Sequence, residues 1–206
     1  MTIPIGILDY DMANLRSVRK ALAQVGFESQ IITGPDEVER CRRLVLPGVG
    51  AFADAVATLR RRRLVDPILR LIASGRPFLG ICLGLQMLMD QGHEDGVHEG
   101  LGVLAGQCVR FDVDTTFGLK VPHMGWNQLA IQRPSPLLAG LRAEANVYFV
   151  HSYHVVPADR GVVATTTDYG RPFVSSIWRD NVVATQFHPE KSQKVGLKIL
   201  ENFARM

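Results

Sequence analysis

Cysteine is scarce in this chain, and the three present are scattered and odd in number. That usage fits a reducing compartment better than a disulfide framework. No apolar stretch approaches the length of a membrane span, and residues 1–9 carry neither a basic leader nor a small-residue cleavage site. The expectation is a soluble, cytoplasmic chain. Charge of one sign is lacking too: a formal net charge of +3 gives no reason to expect nucleic acid. The densest basic cluster, Arg60-Arg61-Arg62-Arg63, lies between Leu59 and Leu64 and reads as a solvated helix face or a partner contact. No glycine-rich loop opens a helix in the manner of a Walker phosphate site. The spacing of His93 and His98 with Glu94 and Asp95 fits no common zinc pattern, so that stretch reads as a solvated loop. No metal and no cofactor are expected. No repeat, low-complexity tract or linker interrupts the chain, and residues 1–206 are read as one domain.

The first half alternates short apolar runs with helical patterns. Strands are expected at 3–8, 27–32, 43–46 and 77–81, the third ended by Pro47-Gly48-Val49-Gly50. Asn14 is placed to cap a helix whose stripe is Leu15, Val18, Leu22 and Val25. Pro35 suits the first turn of a short helix. Residues 51–73 are helical in character, with a break expected near Pro67. A helix with the stripe Leu85, Leu88 and Met89 is expected beyond Cys82, and residues 91–102 read as a surface loop. The second half holds short strands near 107–111, 147–150, 162–167, 173–178 and 182–187, with a hairpin turn at Arg179-Asp180-Asn181. A last helix carries Val195, Ile199, Leu200 and Phe203. The pattern predicts an α/β fold: a central, mostly parallel sheet with helices on both faces and an antiparallel extension.

Chemistry concentrates at Gly80-Ile81-Cys82-Leu83-Gly84-Leu85-Gln86, directly after the apolar run Pro77-Phe78-Leu79. Glycines two places before and two after a nucleophile suit a sharp strand-to-helix turn that lifts the central side chain clear of the sheet edge. The thiol is then expected at a helix N-terminus, where free N–H groups favour a thiolate. Cys41 and Cys108 lack such glycines and read as packing residues. A thiol nucleophile needs a base and an orienting group, and Gln186-Phe187-His188-Pro189-Glu190 offers both. Pro189 restricts His188 to an extended backbone, and Glu190 would hold the imidazole tautomer. Oxyanion donors are expected from the amide of Leu83 and from Gly48-Val49-Gly50. His123, His151 and His154 are read as hydrogen-bonded structural residues.

Together, Gly80-x-Cys82-x-Gly84 and the later His188-Pro189-Glu190 resemble the class I (triad-type) glutamine amidotransferases. The resemblance implies a flavodoxin-like amidotransferase fold in which Cys82 attacks the carboxamide of glutamine and His188 protonates the departing ammonia. It also implies that Gln86 and the main chain of His151-Ser152-Tyr153 hold the glutamine. One branch of that family is matched further by the segments at 9–18, 46–50, 121–127 and 148–153, and by Glu190-Lys191-Ser192. That branch implies a separate (β/α)8 cyclase subunit as partner, docked over the active-site mouth, with Asn14, Trp126, Tyr148 and Lys191 near the interface and the ammonia route. In the first loop Asp11 and Ala13 stand where the family often has glycine; if positive φ is needed there, Asp tolerates it better. Another amidotransferase subunit, a stand-alone cysteine hydrolase and a non-catalytic interaction subunit are the alternatives.

Overall fold

The structure is a computed structural model that describes residues 2–112 and 119–206. Parallel strands β1 (Gly6–Leu8), β2 (Gln30–Ile32), β3 (Leu44–Gly48) and β4 (Phe78–Cys82) join β14 (Val182–Thr185) in the order β2-β1-β3-β4-β14. Beyond β14 the sheet turns largely antiparallel through β13 (Pro172–Arg179), β11 (Tyr153–Pro157) and β7 (Leu104–Arg110) to β5 (Met89–Gly92) and β6 (His98–Glu99). Strand β12 (Val163–Asp168) pairs with β13 and with the short β9 (Ala130–Ile131). A separate two-stranded ribbon joins β8 (His123–Gln128) to β10 (Asn146–His151).

Two apolar clusters show how the strands bury both faces. Alternate residues of one strand serve opposite sides, so Leu44 and Leu46 enter one cluster and Val45 the other. The first cluster is covered by α2 (Pro35–Arg40), α3 (Phe52–Arg61) and α4 (Val65–Ala73). The second is covered by α1 (Leu15–Gln24) and α6 (Gln193–Arg205), through Val18, Leu22, Ile199, Leu200 and Phe203. The expected α/β class therefore holds. Among the described residues no helix is long and apolar enough to cross a membrane.

Several local expectations need correction. The helix beyond Cys82, α5 (Leu83–Gln86), is only 4 residues long. Leu88 lies in the turn that follows and Met89 opens β5, because short buried apolar runs have the same spacing in a helix start as in a strand. The helix-dipole contribution expected at Cys82 shrinks with that length. Residues 91–102 are not a plain loop, since Gln91 and Gly92 pair with Glu99 and His98. Strand β3 runs on through Pro47 to Gly48; β1 pairs with it only as far as Val45, so no neighbour there requires the missing proline N–H. The long helical stretch breaks at Arg62–Leu64, where Arg63 has φ +57°, while Pro67 sits in the first turn of α4, where an N–H is not needed. Asn14 precedes α1 without a side-chain cap hydrogen bond. In the first loop Asp11 has φ +70°, the conformation its residue type tolerates, and Arg62 pairs with its carboxylate at 3.1 Å. Cys41 and Cys108 are buried, as a packing role requires.

Candidate active site

Register brings the chemistry together. Gly48, the last residue of β3, lies opposite Cys82, the last of β4, and Thr185 of β14 lies opposite Ile81. Three neighbouring parallel strands thus end side by side, with His188 three residues beyond the last of them. Cys82 has φ +54° and ψ −106°, a strained backbone for a side chain with a Cβ. The two flanking glycines are needed for close approach: a Cβ on Gly84 would overlap the Leu46 carbonyl oxygen, and one on Gly80 would meet the Gly84 carbonyl oxygen at 2.7 Å. A strand and a one-turn helix pack backbone to backbone there, and the thiol is carried out at the sheet edge.

His188 is extended, as Pro189 demands, and its Nδ1 lies 2.8 Å from Glu190 Oε1. Both side chains are only 3% exposed. Burial works against a charge on His188, but the Cys82 sulfur and the Glu190 carboxylate outweigh it and raise its pKa to about 10. Ser192 braces this turn from outside: its Oγ donates to His188 O at 2.7 Å and accepts from Tyr148 N at 3.0 Å. The Gln186 carboxamide is a further part that sequence reasoning left without a role. Its Nε2 donates to Cys82 Sγ at 3.6 Å, and its Oε1 accepts from Gln86 Nε2 at 3.2 Å. Gln186 thus links the thiol to the pocket floor.

Beside Cys82 opens a cavity of about 280 Å³. Val49, Gly50, Leu83, Gln86, His151, Ser152 and Tyr153 line it. So does Glu94, which the solvated-loop reading missed; its carboxylate also accepts from Phe52 N, at 2.6 Å, at the start of α3. An acidic residue 12 positions past the nucleophile has no local signal, and only the β5–β6 hairpin returns it to the pocket. Gln86 Nε2 is already used on Tyr153 O, at 3.1 Å, and on Gln186, which leaves its Oε1 for a ligand. Leu83 N–H, first in α5, has no intrahelical acceptor. The other expected oxyanion donor does not face the thiol: Val49 N–H is bonded to Met12 O at 2.8 Å. Gly48 closes β3, and Val49 and Gly50 follow it at the cavity beside Cys82, with the Val49 amide engaged by Met12.

The residues expected at a partner interface are gathered in part. Trp126 and Tyr148 face each other in the β8–β10 register with ring centroids 6.0 Å apart, and Lys191 Nζ lies 5.9 Å from the Tyr148 ring. Trp126 is 49% exposed and Met124, two residues away on the same face of β8, is 61% exposed. Asn14 is exposed at the head of α1 and makes no recorded side-chain hydrogen bond with these residues.

An elbow cysteine with a buried His–Glu pair at the edge of a parallel sheet defines an α/β cysteine enzyme of the triad type. The model of the family "Glutamine amidotransferase class-I" matches residues 6–206. The imidazole glycerol phosphate synthase subunit HisH of Syntrophotalea carbinolica is 56% identical over 98% of this chain and 100% of its own length. The subunit of the same name from Aquifex aeolicus is 55% identical over 97% of this chain and 95% of its own. Among solved structures, PurLQS from Thermotoga maritima superposes with a TM-score of 0.78 at 19% identity, covering 100% of this chain and 99% of that one, which speaks for the fold. The chain belongs to the class-I glutamine amidotransferases and, within them, to the HisH subunits of imidazole glycerol phosphate synthase.

Proposed function

We propose that residues 1–206 form one glutamine amidotransferase type 1 domain, the glutaminase subunit of imidazole glycerol phosphate synthase. The observation that carries the reading is the buried His188–Glu190 pair beside Cys82 at the mouth of a glutamine-sized cavity. Cys82 passes its proton to His188 as its Sγ adds to the γ-carbonyl carbon of glutamine, and the carbonyl electron pair moves to oxygen. Leu83 N–H holds one side of the oxyanion. A second donor is supplied when the Gly48-Val49-Gly50 loop turns the Val49 amide away from Met12 and towards the thiol. Gly50, at φ +99°, already occupies a conformation closed to most side chains.

As the tetrahedral intermediate collapses, the C–N bond breaks and His188 gives its proton to the leaving nitrogen. Ammonia departs and a γ-glutamyl thioester remains. His188 then accepts a proton from the attacking water, glutamate leaves, and the thiol is restored. Glu190 holds the imidazole with its proton on Nδ1 and stabilises its cationic form. The Glu94 carboxylate on the cavity wall is suited to the α-ammonium group of the substrate, with Gln86 Oε1 beside it.

Free ammonia is a nucleophile and ammonium is not, so the product needs a route sheltered from bulk water. In this reading the acceptor site belongs to a (β/α)8 cyclase subunit that forms a heterodimer with this chain. That subunit uses the ammonia to form imidazole glycerol phosphate and aminoimidazole carboxamide ribotide in histidine biosynthesis. Trp126, Tyr148 and Lys191, with Asn14, form its docking face; the two aromatics are the natural anchors. The test is Cys82→Ala in the assembled enzyme. It abolishes glutamine-dependent synthesis while added ammonia still supports the cyclase; undiminished glutamine-dependent synthesis refutes the reading.

A further inference from the structure

Besides the triad, a connected chain of polar groups runs from the β8–β10 ribbon to the cavity wall. His123 and His151 face each other across the β8–β10 ladder and are both buried. His151 Nδ1 lies 2.7 Å from Tyr153 O. A carbonyl can only accept, so that nitrogen carries a proton. The Nε2 of a neutral His151 is then bare, and His123 Nδ1, 3.2 Å away, donates to it. His123 Nε2 is left as an acceptor and takes a hydrogen from Asn127 Nδ2 at 3.3 Å. The same Nδ2 gives its other hydrogen to Asp168 O at 2.8 Å. Each donor has an acceptor, and both ends of the chain rest on main-chain carbonyls. A proton added to either ring would set two donors against each other.

The surroundings reinforce that arrangement. Phe149 stacks on His123 at 4.8 Å and Tyr169 lies at 4.0 Å from it, while Phe111 and Phe173 pack at 5.0 and 5.3 Å from His151. Burial holds His123 down at about 4 and His151 at about 3. The titratable side chains that bear on His151, namely His123, His154 and His188, all oppose a positive charge there. The last acceptor of the relay, Tyr153 O, also takes the hydrogen bond from Gln86 Nε2. One carbonyl on the cavity wall is thus fixed from two directions.

We propose that His123 is a positioning residue for glutamine: through His151 it sets the Tyr153 carbonyl, and with it the Ser152–Tyr153 wall of the cavity beside Cys82. The inference rests on reading that wall as the glutamine cradle. Two measurements test it. Imidazole ¹H–¹⁵N correlation spectra of the full chain show both rings neutral, with the proton on Nδ1, from pH 5 to pH 8. A charged ring at pH 6, or a proton on Nε2 of either residue, overturns the relay.

The second measurement is glutamine hydrolysis by the chain with its cyclase partner. His123→Leu raises KM for glutamine about tenfold, the effect of one lost buried hydrogen bond, and lowers kcat by a smaller factor. His123→Asn, whose Nδ2 stands close to the position of Nδ1, recovers most of that loss. A His123→Leu KM within twofold of the parent overturns the positioning role, as does a folded His123→Asn no better than His123→Leu. A parent complex that fails to hydrolyse glutamine overturns the glutaminase reading instead, and the spectra separate that case.

Discussion

The backbone N–H of Val49 donates to the carbonyl oxygen of Met12, 2.8 Å away. It is therefore engaged elsewhere, and in the proposed mechanism the Leu83 amide is left as the single oxyanion donor. Loss of one such donor costs roughly 10²–10³ in kcat. The isolated chain is expected to turn over glutamine slowly, and the complex with a substrate-loaded cyclase faster by about that factor. Identical glutaminase rates with and without the loaded partner would rule out the turning loop.

His188 is the second target. Replacing it with Asn leaves a folded protein, because the neighbouring turn is held by main-chain and Ser192 contacts rather than by the ring. Turnover should fall by at least about 10³-fold, the scale on which triad members act. Unchanged turnover in a glutaminase assay would remove His188 from the mechanism.

The raised pKa of His188 has a signed consequence for stability. A folded-state value of about 10 against an ordinary 6.5 means that the stabilisation is complete below about pH 6.5 and is lost as pH rises towards 10. Thermal melts across that range should show a decline that ends at lower pH and is smaller in total in Cys82→Ala, where one of the groups favouring the charge is gone. Parallel pH profiles for parent and variant would show that the sulfur does not hold the proton on the ring.

Tyr10 offers a test by improvement. Its hydroxyl is buried without a hydrogen-bond partner among the described residues, and it fills the space that a Cβ on Gly48 would need. An unpaired buried hydroxyl costs about 1–3 kcal/mol, and Phe removes it without emptying the site. Tyr10→Phe should raise the Tm of the isolated chain by about 2–4 °C, the shift expected from about 1 kcal/mol at this size. A lowered Tm would mean that the hydroxyl has a partner in solution.

The elbow glycines should differ sharply from glycines in open turns. Gly84→Ala forces a Cβ into the Leu46 carbonyl and should cost about 3 kcal/mol or more in denaturant unfolding. Gly26→Ala meets nothing within 4 Å and bears only the strain of φ +86°, about 1 kcal/mol. Equal losses would show that the Leu46 carbonyl yields to a Cβ and that close approach does not select glycine at the elbow.

Much of the site was legible because its signals are local. Gly80, Cys82 and Gly84 lie within five residues, and His188-Pro189-Glu190 within three, so backbone restriction alone brings each set near its working geometry. The helix stripes of α1 and α6 were legible for the same reason, since burial of one face leaves a periodic trace. Where a segment's state depended on a distant partner, the trace was ambiguous. Leu88 and Met89 fit a helix until β7 claims Met89 opposite Leu104. Strand β8 was unread because Met124 and Trp126 alternate outward as an apolar exposed face, the reverse of the usual strand signature.

By itself, the sequence determined the elbow at Cys82, the paired placement of His188 and Glu190, and the α/β class, because glycine, proline and apolar periodicity act on the backbone within a few residues. Tertiary structure alone decided the Gln186 link to the thiol, the return of Glu94 to the cavity, the His123–His151 relay and the direction of the Val49 amide. Each of these depends on which donor meets which acceptor across strands far apart in the chain. Hydrogen bonds are directional over about 3 Å, and only the folded register sets positions that finely.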